Sequence, residues 1–490
     1  MKTIYHPYTP SRQDPGFLER TATGRDKLLS ALLAGIEQKS RQAKHQLLIG
    51  PRGIGKSHII ALLHHKIKSS SRLMAKWLPV SFPEEAAGII TLRDFMEKVT
   101  RLSGEKLENE GLSDDAMRLR EILEVTDGES SNQKATNQIR SFLIEWTEKN
   151  QRKILIFLEN ADRVIGDRIT KRLPDERWLA DLLMNEDIFY LIATSATFFK
   201  QTTDEDHPLC GLFRVDVIDE LSLEESTELL IKYAAEEGRT ALAKELKTRT
   251  NRTQAIYTLA GGNPRLLIML YILIRNSDAN ITNVEAGFFS LLEDLTPYFQ
   301  SCMAQLTAQE EKVLVAFAEG PEFLGPEEVG RNIHMSTDKV TAHLQRLKST
   351  GFVKEIEKST PFSCKGDEWA LYRLSATSFR YWYQMNSEQN REMSEIFIRF
   401  LILYYTYSEI EQIYLSRSTK LLEGENASTV RTDARRELRY LEVAMRLAKK
   451  EEIQTLLTSL ERGLNKKSPS EGIKHIYEDL LKSIRNILRF

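Results

Sequence analysis

The chain has 490 residues, enough for three or four domains and an ample apolar core. Its formal net charge is −2 with 28% charged residues, so no global basic field marks it as a nucleic-acid binder by charge alone. No apolar run approaches the roughly 18 residues of a membrane span, and the opening Met1–Pro7 lacks the apolar core of a signal peptide. Cys210, Cys302 and Cys364 lie far apart and make neither a metal pattern nor a disulfide framework. A cytoplasmic protein with no membrane partner is expected.

Residues 1–20 are rich in Pro, Ser and polar groups and read as an extended lead-in. Gly24-Arg25-Asp26 then opens a helix with Leu28, Leu29, Leu32, Leu33 and Ile36 at helical spacing. Gln46–Ile49 is a short apolar strand, and after it comes Gly50-Pro51-Arg52-Gly53-Ile54-Gly55-Lys56-Ser57, the pattern G-x-x-x-x-G-K-S. Each fixed position has a physical job. The glycines let the backbone turn tightly and bring its N–H groups to phosphate oxygens. Lys56 reaches the β- and γ-phosphates, and the Ser57 hydroxyl is a ligand for Mg²⁺. A helix starting near Lys56 and running through His58 aims its positive end at the phosphates. Gly50 to His58 is therefore the expected nucleotide-binding segment, with ATP and Mg²⁺ as cofactors. His58, His64 and His65 share that helix, and His58 and His65 share one face of it, but no third metal ligand accompanies that pair, and they read as helix-surface histidines.

Trp77–Phe82 reads as a second strand, residues about 92–124 as helical, 127–137 as a polar loop and 135–149 as a helix. Ile154–Leu158 is five apolar residues between charged neighbours, a buried parallel strand, and Asp187–Ser195 is another strand ending in hydroxyls. Alternating strands and helices predict an α/β core over 21–218, a parallel sheet with helices on both faces.

A phosphate-loop enzyme needs a carboxylate on a neighbouring strand to hold Mg²⁺ through water. Glu159, directly after Ile154–Leu158, is the candidate. In Glu159-Asn160-Ala161-Asp162, Glu159 stands where many such ATPases carry the metal-side Asp, and Asn160 where they carry the water-activating Glu. The other register puts Leu158 at the metal position and Glu159 at the base position; the place of Asp162 favours the first. Asn accepts no proton as a general base, although it can orient a water, so hydrolysis is expected to be slow or partner-dependent. Thr194 or Ser195 is placed to bond the γ-phosphate or the attacking water. Arg265 follows Gly261-Gly262-Asn263-Pro264 at a helix start, where a cation touches the γ-phosphate from a lid. Arg214, between sheet and lid, is a candidate finger for a neighbouring subunit's nucleotide, with Arg163 a second candidate.

After Ser222 the chain turns helical: 223–237, 240–249, 252–259 and 266–274 form a helical lid, assigned to 219–295. Residues 296–385 predict three helices, 307–318, 326–333 and 337–349, and then strands at 352–356 and 369–374, a winged helix. Residues 386–490 read as an all-helical C-terminal domain.

The order of phosphate loop, Glu159-Asn160-Ala161-Asp162, strand into Thr194-Ser195, lid with Gly-Gly-Asn-Pro-Arg and winged helix resembles the AAA+ and STAND ATPases. The likeness is to the branch near the prokaryotic origin-recognition initiators, and it covers about residues 20–385. Tyr372–Ser375 and Phe379–Tyr383 resemble the end of the winged helix in that group. The resemblance implies a nucleotide-dependent switch that assembles as a homo-oligomer, with an Arg completing the adjacent site. It also implies action on duplex DNA with a partner protein of effector, nuclease or recombinase type, in replication, transposition or defence. The alternative is a nucleotide-binding scaffold or signalling switch with little autonomous hydrolysis, whose winged helix docks protein.

Lys339, His343 and Arg346 share one face of the 337–349 helix, which could lie in a major groove. Against that, residues 296–385 hold ten Lys/Arg and eleven Asp/Glu, where a dedicated DNA reader is more basic. Arg431, Arg435, Arg436, Arg439, Arg446, Lys449 and Lys450 form a later basic stretch, read as a solvated face paired with Asp433, Glu437 and Glu442.

Overall fold

The computed structural model describes residues 10–38, 44–83, 86–171, 173–185, 187–196, 199–275, 281–304, 306–356, 370–387 and 393–422, with 441, 444 and 447. The C-terminal basic stretch, Cys364 and Trp369 lie outside the described residues.

Strands β1 (His45–Ile49), β2 (Trp77–Ser81), β3 (Lys153–Leu158), β4 (Phe189–Ser195) and β5 (Phe213–Val217) form one sheet in the order β2-β3-β4-β1-β5. All four pairings are parallel, with Leu48 opposite Thr194 and Ile49 opposite Ser195. Side chains alternate between two apolar layers, as the pleat requires. Leu47, Ile49, Ile154, Ile156, Leu158 and Leu191 pack under the helices Leu92–Asn109, Asn132–Asn150 and Leu173–Asn185. Leu48, Leu155, Phe157, Tyr190 and Ile192 face the helices Asp26–Glu37 and Lys56–Lys68 on the other side.

Several expectations shift. The lead-in is not extended throughout, because Pro15–Thr21 is a helix, started by Asp14, whose carboxylate accepts from the Phe17 N–H at 2.9 Å. The helical stretch after Leu92 breaks at Gly111 (φ +80°) into Leu92–Asn109 and Ser113–Asp127. The next helix begins at Asn132, inside the expected polar loop.

The lid consists of Leu223–Glu236, Thr240–Thr248, Thr250–Ala260 and Pro264–Arg275. Ser222 and Glu225 form a reciprocal capping box at its entry. Beyond Ile281–Asp294 and Thr296–Met303 come three helices, Ala308–Glu319, Pro326–Ile333 and Thr337–Ser349. A two-stranded antiparallel ribbon follows, β6 (Val353–Glu355) with β7 (Tyr372–Leu374). Lid and ribbon module share one apolar core that runs from Leu221 through Phe299, Leu344 and Trp382 to Tyr404. Helices Met393–Tyr404 and Tyr407–Leu422 lie within the expected C-terminal helical domain. Among the described residues, no helix is long and apolar enough to cross a membrane.

Candidate nucleotide site

Parallel strands place their C-terminal ends on one edge, and the phosphate loop leaves that edge after β1. The loop is anchored on both flanks: the Gly50 N–H donates to the Ser195 carbonyl at 3.2 Å, and the Ile218 N–H to the Ile49 carbonyl at 2.7 Å. Gly53 (φ +84°) and Gly55 (φ +103°) take backbone conformations that L side chains rarely adopt. Gly55 leads into the helix Lys56–Lys68, whose first turn faces the cleft.

The Lys56 ammonium is folded back into the loop, donating to the carbonyls of Gly50 at 2.6 Å and Pro51 at 3.1 Å. Burial pushes it down to about 8, against the pull of Asp162 and Glu159. The Ser57 hydroxyl donates to Glu159 Oε2, so a hydroxyl and a carboxylate meet at one point beside the loop. Two hard oxygen donors there fit Mg²⁺. This contact places the Glu159 carboxylate beside the Ser57 hydroxyl, at the end of β3. Asn160 follows in the left-handed region (φ +54°) and lines the cleft, as does Thr194 at the end of β4. Ser195 is fully buried and is not among the lining residues.

The lid closes on the loop through Asn263 and Arg265. Asn263 Oδ1 caps the helix Pro264–Arg275, accepting from the Arg265 N–H at 3.0 Å. Its Nδ2 donates to the Arg52 carbonyl at 3.0 Å, and the Arg265 N–H also reaches the Gly53 carbonyl at 3.2 Å. A Cβ on Gly53 would stand 2.7 Å from Asn263 Oδ1 and 2.9 Å from Arg265 Cβ, so only glycine allows this approach. The Arg265 side chain lines the cleft.

The far wall was not legible as a site. Thr21, Thr23 and Arg25 from the N-terminal segment face Leu229, Tyr233 and Ile268 from the lid across the same cleft. Arg25 donates to the carbonyls of Asp219 at 2.8 Å and Ile54 at 3.3 Å, tying loop, sheet edge and lid entry together. Burial lowers its guanidinium from the ordinary value, and nearby Glu225 opposes this. The sequence signal was Gly24-Arg25, read only as a helix start. His58 also lines the cleft; burial, reinforced by Arg25, pushes its ring down to about 4, so it is neutral at pH 7. No cluster of metal-ligating side chains occurs among the described residues, His58 and His65 included.

Residues 21–184 match the AAA ATPase domain family. The chain carries an AAA ATPase domain. No curated protein is similar enough in sequence to match it. Among solved structures it is similar to a Walker-type ATPase of Pyrococcus abyssi, at 15% identity over 74% of this chain and 95% of that one (TM-score 0.49). It is also similar to the ORC1 protein of Aeropyrum pernix, solved in complex with DNA, at 13% identity over 75% of this chain and 93% of that one (TM-score 0.38). A third is a Signal Transduction ATPase with Numerous Domains from Pyrococcus horikoshii, with a tetratricopeptide repeat sensor. It is 16% identical over 94% of this chain and 58% of that one (TM-score 0.28).

The remaining candidates stand apart from the AAA ATPase cleft. Arg214 is exposed on edge strand β5, its Nε 3.6 Å from Asp216, rather than in a loop between sheet and lid. Arg163 is exposed in the turn that follows Asp162. Lys339 is exposed, whereas a ring nitrogen of His343 lies 3.1 Å from Gln309 Oε1 and Arg346 pairs with Glu310 at 3.4 Å.

Proposed function

We propose that the protein is an ATP-driven switch that hydrolyses Mg²⁺-ATP slowly and transmits the state of its nucleotide from the AAA ATPase domain to the lid and ribbon module. The observation that carries this reading is the double hydrogen bond of the lid's Asn263 and Arg265 to the carbonyls of Arg52 and Gly53. A loop that rearranges around phosphates either breaks these two bonds or carries with it the lid helix that Asn263 caps. In this reading the loop N–H groups and Lys56 bind the β- and γ-phosphates, and Arg265 meets the γ-phosphate from the lid. Ser57 would hold Mg²⁺ with Glu159 behind it, and bound Mg²⁺ would supply charge neutralisation at the phosphates. Asn160 and Thr194 orient the attacking water, and with no carboxylate at the Asn160 position the proton leaves slowly. Arg214, on the exposed edge strand, faces a second copy of the chain in a homo-oligomer.

The ribbon module is a winged helix in this proposal, and its target is duplex DNA together with a partner protein. The exposed Lys339 supports that. A second reading, a module that docks protein alone, is favoured by Gln309 and Glu310, which already engage His343 and Arg346.

The test is ATP turnover by the full chain with and without duplex DNA, with Lys56→Ala as control. Turnover that rises with DNA and disappears in the variant is expected. Turnover indifferent to DNA moves the assignment to protein docking. ATP bound but never hydrolysed, under either condition, overturns the autonomous ATPase.

A further inference from the structure

Tyr298 lies outside every motif, yet it stands directly behind the lid residues that touch the phosphate loop. It sits on the short helix Thr296–Met303, which joins lid to ribbon module. Its ring packs against the Arg265 guanidinium, with Cζ 5.8 Å from the ring centroid, inside the range of a cation–π contact. Its hydroxyl accepts a hydrogen bond from Asn263 Nδ2 at 3.5 Å and donates one to Cys302, one helical turn on. Burial pushes this hydroxyl well above the usual phenol range, so it remains a neutral donor at any working pH. Asn263 thus holds the Arg52 carbonyl with the same amide nitrogen that meets Tyr298. The helix is fixed from behind by Phe299, whose ring lies 5.3 Å from Phe379 and 5.2 Å from Trp382 on the helix Thr377–Asn386 after the ribbon.

We propose that Tyr298 is the positioning residue for Arg265: its ring holds the guanidinium in the cleft, and its hydroxyl registers Asn263 on the loop. Through Phe299, the ribbon module sets where that ring stands. The inference rests on Arg265 reading the γ-phosphate. A positioning residue of this kind alters discrimination between ATP and ADP, because only ATP presents the γ-phosphate to Arg265. A residue that merely fills the core alters both affinities together.

The experiment measures ATP and ADP affinity by displacement of a fluorescent nucleotide, alongside thermal melting, for the full-length wild type, Arg265→Ala, Tyr298→Leu and Tyr298→Phe. Arg265→Ala should lose the preference for ATP. Tyr298→Leu should lose about three- to tenfold of the same preference, the size expected for a partly desolvated cation–π contact, with ADP affinity within about twofold of wild type. Tyr298→Phe, which keeps the ring, should restore most of it. If Tyr298→Leu weakens ATP and ADP equally, or leaves the preference intact while Arg265→Ala abolishes it, the positioning role is wrong and the reading of Arg265 stands. If Arg265→Ala keeps the full preference, the reading of Arg265 fails and takes the inference with it. Should Tyr298→Leu not fold, Tyr298→Met, closer in length, is measured in its place and read by the same outcomes.

Discussion

Lys56 holds its charge under strain before any phosphate arrives. Among the described residues, the carbonyls of Gly50 and Pro51 accept from its ammonium, and burial brings its pKa to about 8. Phosphate oxygens supply the missing countercharge, so binding raises that pKa and, near or above it, takes up a proton. Below pH 8 the lysine is already charged and affinity is flat with pH. One unit above 8, about a tenth of the free protein carries the charge, and ATP affinity falls about tenfold. Measured between pH 7 and 9, the wild type should show this loss and Lys56→Arg, which stays protonated, should not. A flat wild-type profile would place the lysine near its ordinary value. Asn160 shows what the sequence holds and what it withholds at this scale. Its identity and missing basicity are legible in the string Glu159-Asn160-Ala161-Asp162. Its left-handed backbone (φ +54°) is not, although Asn adopts that conformation at less cost than a Glu would. The meeting of Ser57 with Glu159 depends on two residues 102 positions apart, and no local pattern encodes it.

Elements were legible where local chemistry was decisive. β3 is a continuous apolar run between charges, and the boxes Thr91/Asp94, Ser222/Glu225 and Thr307/Glu310 mark helix starts in plain residues. β5 was missed because it is an edge strand: its five residues are mostly half-exposed or exposed and lack the apolar run of a central strand. The Gly261-Gly262 pair was seen as a lid signature, but its structural reason lies in another element. Gly261 ends the helix Thr250–Ala260 in the left-handed region (φ +68°), and a Cβ there would overlap the Ser375 carbonyl. Lys354 of β6 donates to the Gly261 carbonyl at 2.8 Å and pairs with Glu220, so this corner fastens the ribbon to the lid. Gly261→Ala combines left-handed strain with backbone overlap and should cost about 2 kcal/mol or more. The transition of the lid and ribbon module, which share one core, should fall by about 4–8 °C in a thermal melt. Gly238→Ala separates the two causes: its φ is +71°, but nothing lies within 4 Å of a Cβ there, so it should lose only about half as much. Equal losses would mean that the overlap with Ser375 is relieved without cost.

At the scale of the molecule, the nucleotide cleft is a seam between three parts of the chain that only the fold brings together. The sheet contributes the loop, the lid contributes Asn263 and Arg265, and the N-terminal helix Pro15–Thr21 closes the remaining wall. That helix is strapped to the lid rather than to the sheet alone. Lys232 of the lid donates to the Ala22 carbonyl at 2.6 Å and to Thr23 Oγ1 at 3.3 Å, and Phe17 packs edge-on to Tyr233 at 5.4 Å. Arg20 adds a fork to Glu236, at 2.7 and 2.8 Å, but at a more exposed position. A nucleotide that leaves past this wall would part the strap from the lid, and the strap is then expected to govern release more than phosphate recognition. The two links should not matter equally. A charged hydrogen bond to a backbone carbonyl in a half-buried setting outweighs an ion pair that solvent screens. Lys232→Met should speed release of fluorescent ADP in a stopped-flow chase by about fivefold, and Arg20→Ala by less than about twofold. In both variants ATP and ADP should be affected alike, because neither residue is among those that line the cleft. A Lys232→Met protein that releases at the wild-type rate would show that nucleotide leaves from the loop side of the cleft and that the N-terminal helix is only a cover. Faster release of ATP but not ADP would tie Lys232 to the γ-phosphate signal instead, through the lid helix that Asn263 caps.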